Sequence, residues 1–184
     1  MTNKKNIKVG ITIGDINGIG PEITLKALRD DRILSSFTPI IYGSQKAISH
    51  HIQKLGLEDL LLTPIQNAET AKAHKINIID ALEADVKVEA GRESVDAGKL
   101  AVASLELAAK DISTGLIDVI VTAPISKSVC QKAGFNFPGH TEYFSSLSNG
   151  AEALMVLCSS TMKIALVTTH ISLKEVPSSI TKEK

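Results

Sequence analysis

IKVGITIGDINGIGPEITLKAL, residues 7–28, decides the architecture. IKVGITI (7–13) is rich in β-branched residues, which suit a pleated, half-buried strand. It runs directly into GDINGIGPE (14–22), where three glycines precede Pro21 and Glu22. Proline fits the first helical position and a carboxylate fits the positive end of a helix, so ITLKAL should continue as helix. A strand, a glycine loop and a helix in that order are the start of an α/β layer.

The alternation repeats outward from there. TPIIYG (38–43) predicts a strand, SQKAISHHIQKLG (44–56) a helix ended by Gly56, and INIIDAL (76–82) a further strand. EADVKVEAGRES (83–94) reads as a charged excursion to the surface. The longest helix is predicted from Ser94 to Thr114, with Ser94 or Asp96 as cap, Leu100, Ala103 and Leu107 on one stripe, and Gly115 ending it. IDVIVTAP (117–124) is nearly all apolar, the pattern of a strand covered on both faces. ISKSVCQKAG then forms a short helix closed by Gly134. EALMVLCSS and MKIALVTTH lie close enough for a hairpin, so an antiparallel pair is expected inside a mainly parallel sheet. The sum is a single three-layer α/β/α unit over residues 1–184. In ISLKEVPSSITKEK a new helix is expected to start with Ser178 and Ser179 as caps, within about a turn of Lys184. That pattern predicts a fragment, the N-terminal part of a longer two-domain protein.

Composition narrows the partners. The 184 residues are 43% hydrophobic, enough for a real core. Lys plus Arg and Asp plus Glu each number 20, and aromatics are only 3%, so neither a global field nor stacking platforms favour nucleic acid. No stretch approaches the roughly 18 apolar residues of a membrane span. Cys130 and Cys158 follow no metal-finger or CxxC spacing and no secretory leader precedes them, so a reducing cytoplasm is expected.

Ligands of open α/β sheets gather outside the carboxyl ends of the strands, which singles out four stretches. Gly14–Glu22 offers glycines and helix-start N–H groups to an anion, or is a tight turn into a helix; it lacks GxGxxG spacing. Thr122–Lys127 places Lys127 either toward that crevice or into solvent. FPGHTEYF (137–144) sets His140, Thr141 and Glu142 after a Pro-Gly turn, as a binding group or with Thr141 as the cap of a helix through Leu147. IALVTTHISL (164–173) puts His170 at the end of an apolar run, as a metal ligand or a satisfied structural histidine; one imidazole is short of the three protein ligands usual in a catalytic site. His50, His51 and His74 fall on a polar helix face and a loop, poor companions for it.

Taken together and in this order, GDINGIGPE, TAPISK, FPGHTEYF and ALVTTHISL resemble the 4-hydroxythreonine-4-phosphate dehydrogenase (PdxA) family, across nearly the whole chain. The first motif also resembles the GDGIGPE loop of isocitrate and isopropylmalate dehydrogenases, whose fold the family shares. The resemblance implies an enzyme that uses NAD or NADP and a divalent metal (Zn, Mg or Co). It would oxidise 4-phosphooxy-L-threonine and decarboxylate it to 3-amino-1-hydroxyacetone phosphate, in pyridoxal 5'-phosphate biosynthesis. It implies substrate binding by His140 and Thr141, metal binding by His170, and a homodimer with the active site at its interface. The general base and the cofactor-binding residues are not assigned. A phospho-threonate or phospho-erythronate dehydrogenase paralogue would share every motif, and a non-catalytic module or a phosphotransacetylase-like enzyme are the readings outside that chemistry. Family members run well past residue 184, so the fragment alone is expected to be inactive.

Overall fold

The computed structural model describes residues 6–82, 86–148, 151 and 153–182. The chain divides into two compact units, Met1–Pro138 and Gly139–Lys184, where the sequence reading drew one.

The first unit is built on β1 (Lys8–Thr12), β2 (Thr38–Gly43), β3 (Leu62–Pro64), β4 (Ile76–Asp80) and β5 (Val119–Thr122). They form one parallel sheet in the order β3-β4-β2-β1-β5. The register sets Ile11 beside Ile41 and Ile41 beside Ile78 on one face. There they join Leu25 and Leu28 of α1 (Gly20–Leu28) and Ile48 and Ile52 of α3 (Gln45–Leu55) in the larger core. The opposite face carries Ile40, Tyr42 and Ile79, packed with Ala108 of α4 (Val95–Ser113) and with Ile117. Helices on both faces of a parallel sheet are the three-layer arrangement expected.

Local chemistry explains the boundaries. Ser44 and Ser94 cap α3 and α4, each hydroxyl accepting the N–H three residues on. Short α2 (Asp31–Ser36), β3 and α5 (Lys127–Lys132) complete the unit; α2 and β3 carry too few apolar positions to stand out by periodicity.

Polar groups sit deep in this unit. Along α4 the buried stripe is Ala97, Leu100, Ala101, Ser104, Leu105, Ala108 and Asp111, with Ala103 and Leu107 only half-buried. Ser104 Oγ accepts from Ile13 N–H at 3.1 Å and donates to Tyr42 O at 2.5 Å, and the Tyr42 hydroxyl donates to Asp111 Oδ2 at 2.7 Å. Burial and that carboxylate push the Tyr42 hydroxyl far above its ordinary range. Asn77, fully buried, donates to the carbonyls of Pro39, Lys72 and Lys75 and accepts from Lys72 N–H, so every polar atom of its amide is used.

Two strand expectations need correction. β5 is an edge of the sheet among the described residues, and Val119 and Val121 are 41% and 51% exposed rather than covered on both faces. An apolar run records what a strand can bury; the layers that bury it come from remote sequence.

The second unit holds α6 (His140–Leu147), β6 (Val156–Cys158), β7 (Lys163–Ala165) and α7 (Val176–Ser179). β6 and β7 pair antiparallel as expected, but as a separate two-stranded sheet whose residues are exposed. Three residues a side make only a short ribbon. The final turn also differs. Ser172 and Glu175 form a reciprocal capping box, while the Ser178 and Ser179 hydroxyls donate back to Glu175 O; they close the turn instead of starting a helix. No helix among the described residues is long and apolar enough to cross a membrane.

Candidate functional site

The chain leaves β1 for β2 on one side and reaches β5 on the other, so the crevice at the carboxyl ends of β1 and β5 is the topological switch point of the sheet. Gly14–Gly20 leaves β1 there and Ala123–Ser126 leaves β5. Asp15 N–H donates to Pro124 O at 2.9 Å, and Ala123 N–H donates to Thr12 O at 3.2 Å. The first two sequence motifs are therefore one structure.

Gly14 has φ +66, and a Cβ there would lie 2.3 Å from Pro124 O. The glycine is required by the backbone's own packing. Asp15 Oδ1 accepts from Asn17 N–H at 2.9 Å and Asp15 O from Gly18 N–H at 3.1 Å, an Asx-type turn that leads into α1. The tight-turn reading of this loop thus has a direct structural cause.

Two polar residues to which the sequence reading gave no part in this loop hold it in place. Asn17, buried at 4% exposure, accepts Glu89 N–H on Oδ1 at 2.7 Å, donates from Nδ2 to Arg92 O at 3.0 Å, and accepts Gly91 N–H on its carbonyl at 2.8 Å. The charged excursion after β4 is thereby strapped across the loop; its residues 83–85 lie outside the described residues. Glu93 continues the strap, accepting from the Ser128 hydroxyl at 2.6 Å and pairing with Lys132 at 3.2 Å on α5. The Ser128 hydrogen bond first, then Lys132, holds the Glu93 carboxyl below its ordinary value.

His51 is the second. It is buried, not on a polar face, and its Nε2 donates to Ile16 O at 2.8 Å. Its spacing with Ala47, Ile48 and Ile52, all buried, was the signal available in the sequence. Burial, ahead of the repulsion from His50 and Lys54, pulls its pKa below 6.5 despite the carbonyl contact. The unfolded chain takes up a proton that the folded chain resists, so stability falls as pH drops through about 6.5 toward the folded value. His51→Gln keeps an amide N–H for Ile16 O and removes the titration. Urea midpoints at pH 7.5 and 5.5 should therefore converge in the variant and separate in the native chain; equal separation in both would show that other groups carry the effect.

Cys130 is buried and its thiol is pushed up by burial, with Asp15 adding to the shift, so it is not a poised nucleophile. Lys127 is exposed at the start of α5. A separate cleft of about 710 Å³ opens outside the carboxyl ends of β2 and β4, lined by Ser44, Lys46, Ser49, His50, Gln53 and Asp80 among others; none of the four motifs contributes to it.

His140, Thr141 and His170 fall in the second unit, which begins at Gly139 within FPGHTEYF. α6 begins at His140 with Gly139 as its N-cap, so Thr141 lies inside the first turn and is not the cap; Glu142 Oε2 lies beside the Gly139 backbone. Thr141 is exposed and His140 half-buried. His170 is exposed in a turn past the end of β7, with φ +56, rather than closing a buried strand. Among the described residues no group of three or more His, Cys, Asp or Glu could hold a metal ion. The donor set for a metal is therefore not complete within these residues.

A parallel sheet with helices on both faces and a glycine loop at its switch point define an open α/β protein. The family model described as Pyridoxal phosphate biosynthetic protein PdxA matches residues 35–184, and the chain belongs to that family. It is 42% identical over 98% of its length to 4-hydroxythreonine-4-phosphate dehydrogenase of Bacteroides thetaiotaomicron, covering 50% of that protein. A Cutibacterium acnes relative provisionally named D-threonate 4-phosphate dehydrogenase is 37% identical over 95% of this chain and 51% of its own length. The crystal structure of a 4-hydroxythreonine-4-phosphate dehydrogenase from Burkholderia phymatum superposes with a TM-score of 0.85 at 29% identity, over 94% of this chain and 52% of that one. The chain spans about half the length of the curated relatives it matches.

Proposed function

We propose that these residues form the N-terminal part of an enzyme that oxidises 4-phosphooxy-L-threonine in pyridoxal 5'-phosphate biosynthesis. The observation that carries this reading is the position of His140 and Thr141. They occupy the first turn of α6 directly after Gly139, with the Thr141 hydroxyl exposed and not used as a cap. A hydroxyl and an imidazole beside the positive end of a helix suit a phosphorylated, hydroxylated acid. Their part is to hold the substrate in one orientation, so that the C3 carbon–hydrogen bond faces the acceptor.

Bound NAD or NADP would supply the acceptor for the C3 hydrogen, as hydride. The hydroxyl proton leaves to a base, and the resulting 2-amino-3-oxo acid loses carbon dioxide to give 3-amino-1-hydroxyacetone phosphate. His170 offers one nitrogen toward a divalent metal (Zn, Mg or Co). Its companions would come from outside the described residues, so the 184 residues alone are expected to turn over nothing. The working enzyme is proposed to be a cytoplasmic homodimer with its active site at the subunit interface.

A phospho-threonate substrate is the second reading, favoured by the Cutibacterium acnes relative. The two differ by an amino group at C2. A full-length enzyme carrying these residues should turn over 4-phosphooxy-L-threonine with a kcat/KM at least about tenfold above that for phospho-threonate; one such factor corresponds to about 1.4 kcal/mol. The reverse preference would replace the first reading by the second.

A further inference from the structure

Residues 89–93 tie together the two lips of the switch-point crevice. On the β1 side the buried Asn17 accepts Glu89 N–H on Oδ1 at 2.7 Å and Gly91 N–H on its carbonyl at 2.8 Å, and its Nδ2 donates to Arg92 O at 3.0 Å. On the β5 side Glu93 accepts from the Ser128 hydroxyl at 2.6 Å and pairs with Lys132 at 3.2 Å, both on α5. The lips also meet directly, through Asp15 N–H on Pro124 O and Ala123 N–H on Thr12 O. The strap is therefore a second tie between the loop that leaves β1 and the segment that leaves β5.

The loop held in this way is bare at Gly18. Gly18 is exposed, its φ is not positive, and a Cβ there would meet only Asp15, at 3.4–3.6 Å, which is ordinary contact. Unlike Gly14, it is required neither by conformation nor by the loop's own packing. What glycine leaves at 18 is open backbone that a ligand can approach closely. Crevices at a switch point take dinucleotides across the strand ends, and such a backbone fits that ligand. We infer that Asn17 and Glu93 are positioning residues, which anchor the 89–93 strap across the crevice and so fix the Gly18 backbone for a nicotinamide dinucleotide. This rests on the cofactor reading proposed above, and neither residue touches the reacting atoms. A strap pinned at both ends acts as one unit, so releasing either end loosens the other, and a loosened loop must be ordered again each time ligand binds.

Glu93→Ala is the leading variant. The Glu93 side chain is 58% exposed, so its loss should leave the urea midpoint of the 184-residue chain essentially unchanged. In that chain, amide exchange at Glu89 and Gly91, whose bonds are to Asn17, should quicken about tenfold or more, while Ile13 N–H, bonded to Tyr42 O, keeps its rate. In a full-length enzyme carrying these residues, nicotinamide fluorescence should show the Kd for NADH or NADPH, whichever the native enzyme holds more tightly, rising about fivefold or more. Glu93→Gln keeps an acceptor for the Ser128 hydroxyl and should restore most of that affinity. Asn17→Asp loses the donor to Arg92 O and should weaken binding as Glu93→Ala does, and the double variant no further, since both release one strap. Unchanged exchange at Glu89 and Gly91, an unchanged Kd in Glu93→Ala, or fully additive losses would each overturn the inference. A native enzyme that holds neither dinucleotide would remove the cofactor reading and the inference with it, a result distinct from native binding that the variants leave intact.

Discussion

His170→Asn, placed in a full-length enzyme carrying these residues, is expected to lower both metal content and turnover by about a hundredfold or more. Loss of an outer partner of a metal ligand already costs about 10–100-fold in metal affinity, and a direct donor should cost at least as much. The choice of asparagine is dictated by the backbone. His170 has φ +56, a conformation that bulky or β-branched residues resist but asparagine adopts readily. Asparagine therefore preserves the turn while replacing an imidazole nitrogen with a weak amide donor. Bound metal per chain, read by elemental analysis, separates the two roles of the residue. Unchanged metal with reduced thermal stability would make His170 a turn residue and remove it from the proposed site.

Gly14→Val is the other large effect, and it acts on folding. At φ +66 a β-branched side chain meets backbone strain of about 1–3 kcal/mol. The strain is compounded by space, because its Cβ would fall 2.3 Å from Pro124 O. Relief requires moving the Pro124 backbone, which breaks the Asp15 N–H to Pro124 O hydrogen bond and opens the β1–β5 switch point. The combined cost should exceed about 3 kcal/mol, a large part of a domain's stability of about 5–15 kcal/mol. Gly56 supplies the control. It has nearly the same φ, +64, but nothing within 4 Å of its virtual Cβ. Gly56→Ala should therefore cost only about 1 kcal/mol. Urea unfolding of both variants checks the pair, and similar losses at the two positions would show that conformation and not contact with Pro124 makes Gly14 necessary.

The site was only partly visible in the sequence. GDINGIGPE and TAPISK could be marked as strand-end motifs because glycine, proline and β-branched runs are local signals. Their union at one crevice depends on β1 and β5 being neighbours, and 110 residues separate the partners in each of the pairs Val9–Val119 and Thr12–Thr122. No local pattern encodes that. Thr141 shows the opposite error, where a locally plausible cap gives way because Gly139 caps the helix two residues earlier.

The order of the strands and helices other than α2 and β3, the Ser94 cap of α4, the mainly parallel three-layer plan and the family likeness were determined by sequence alone, since each depends on residues a few positions apart or on motifs read in order. Tertiary structure alone decided the roles of Asn17, His51 and Ser104, and the exposure of Val119, Val121 and the β6–β7 ribbon. Asn17 reaches Glu89 and Arg92, His51 reaches Ile16, and Ser104 reaches Ile13 and Tyr42, all across loops or layers. Burial and hydrogen bonding are properties of the surfaces that meet, and which surfaces meet is settled only when distant segments of the chain pack.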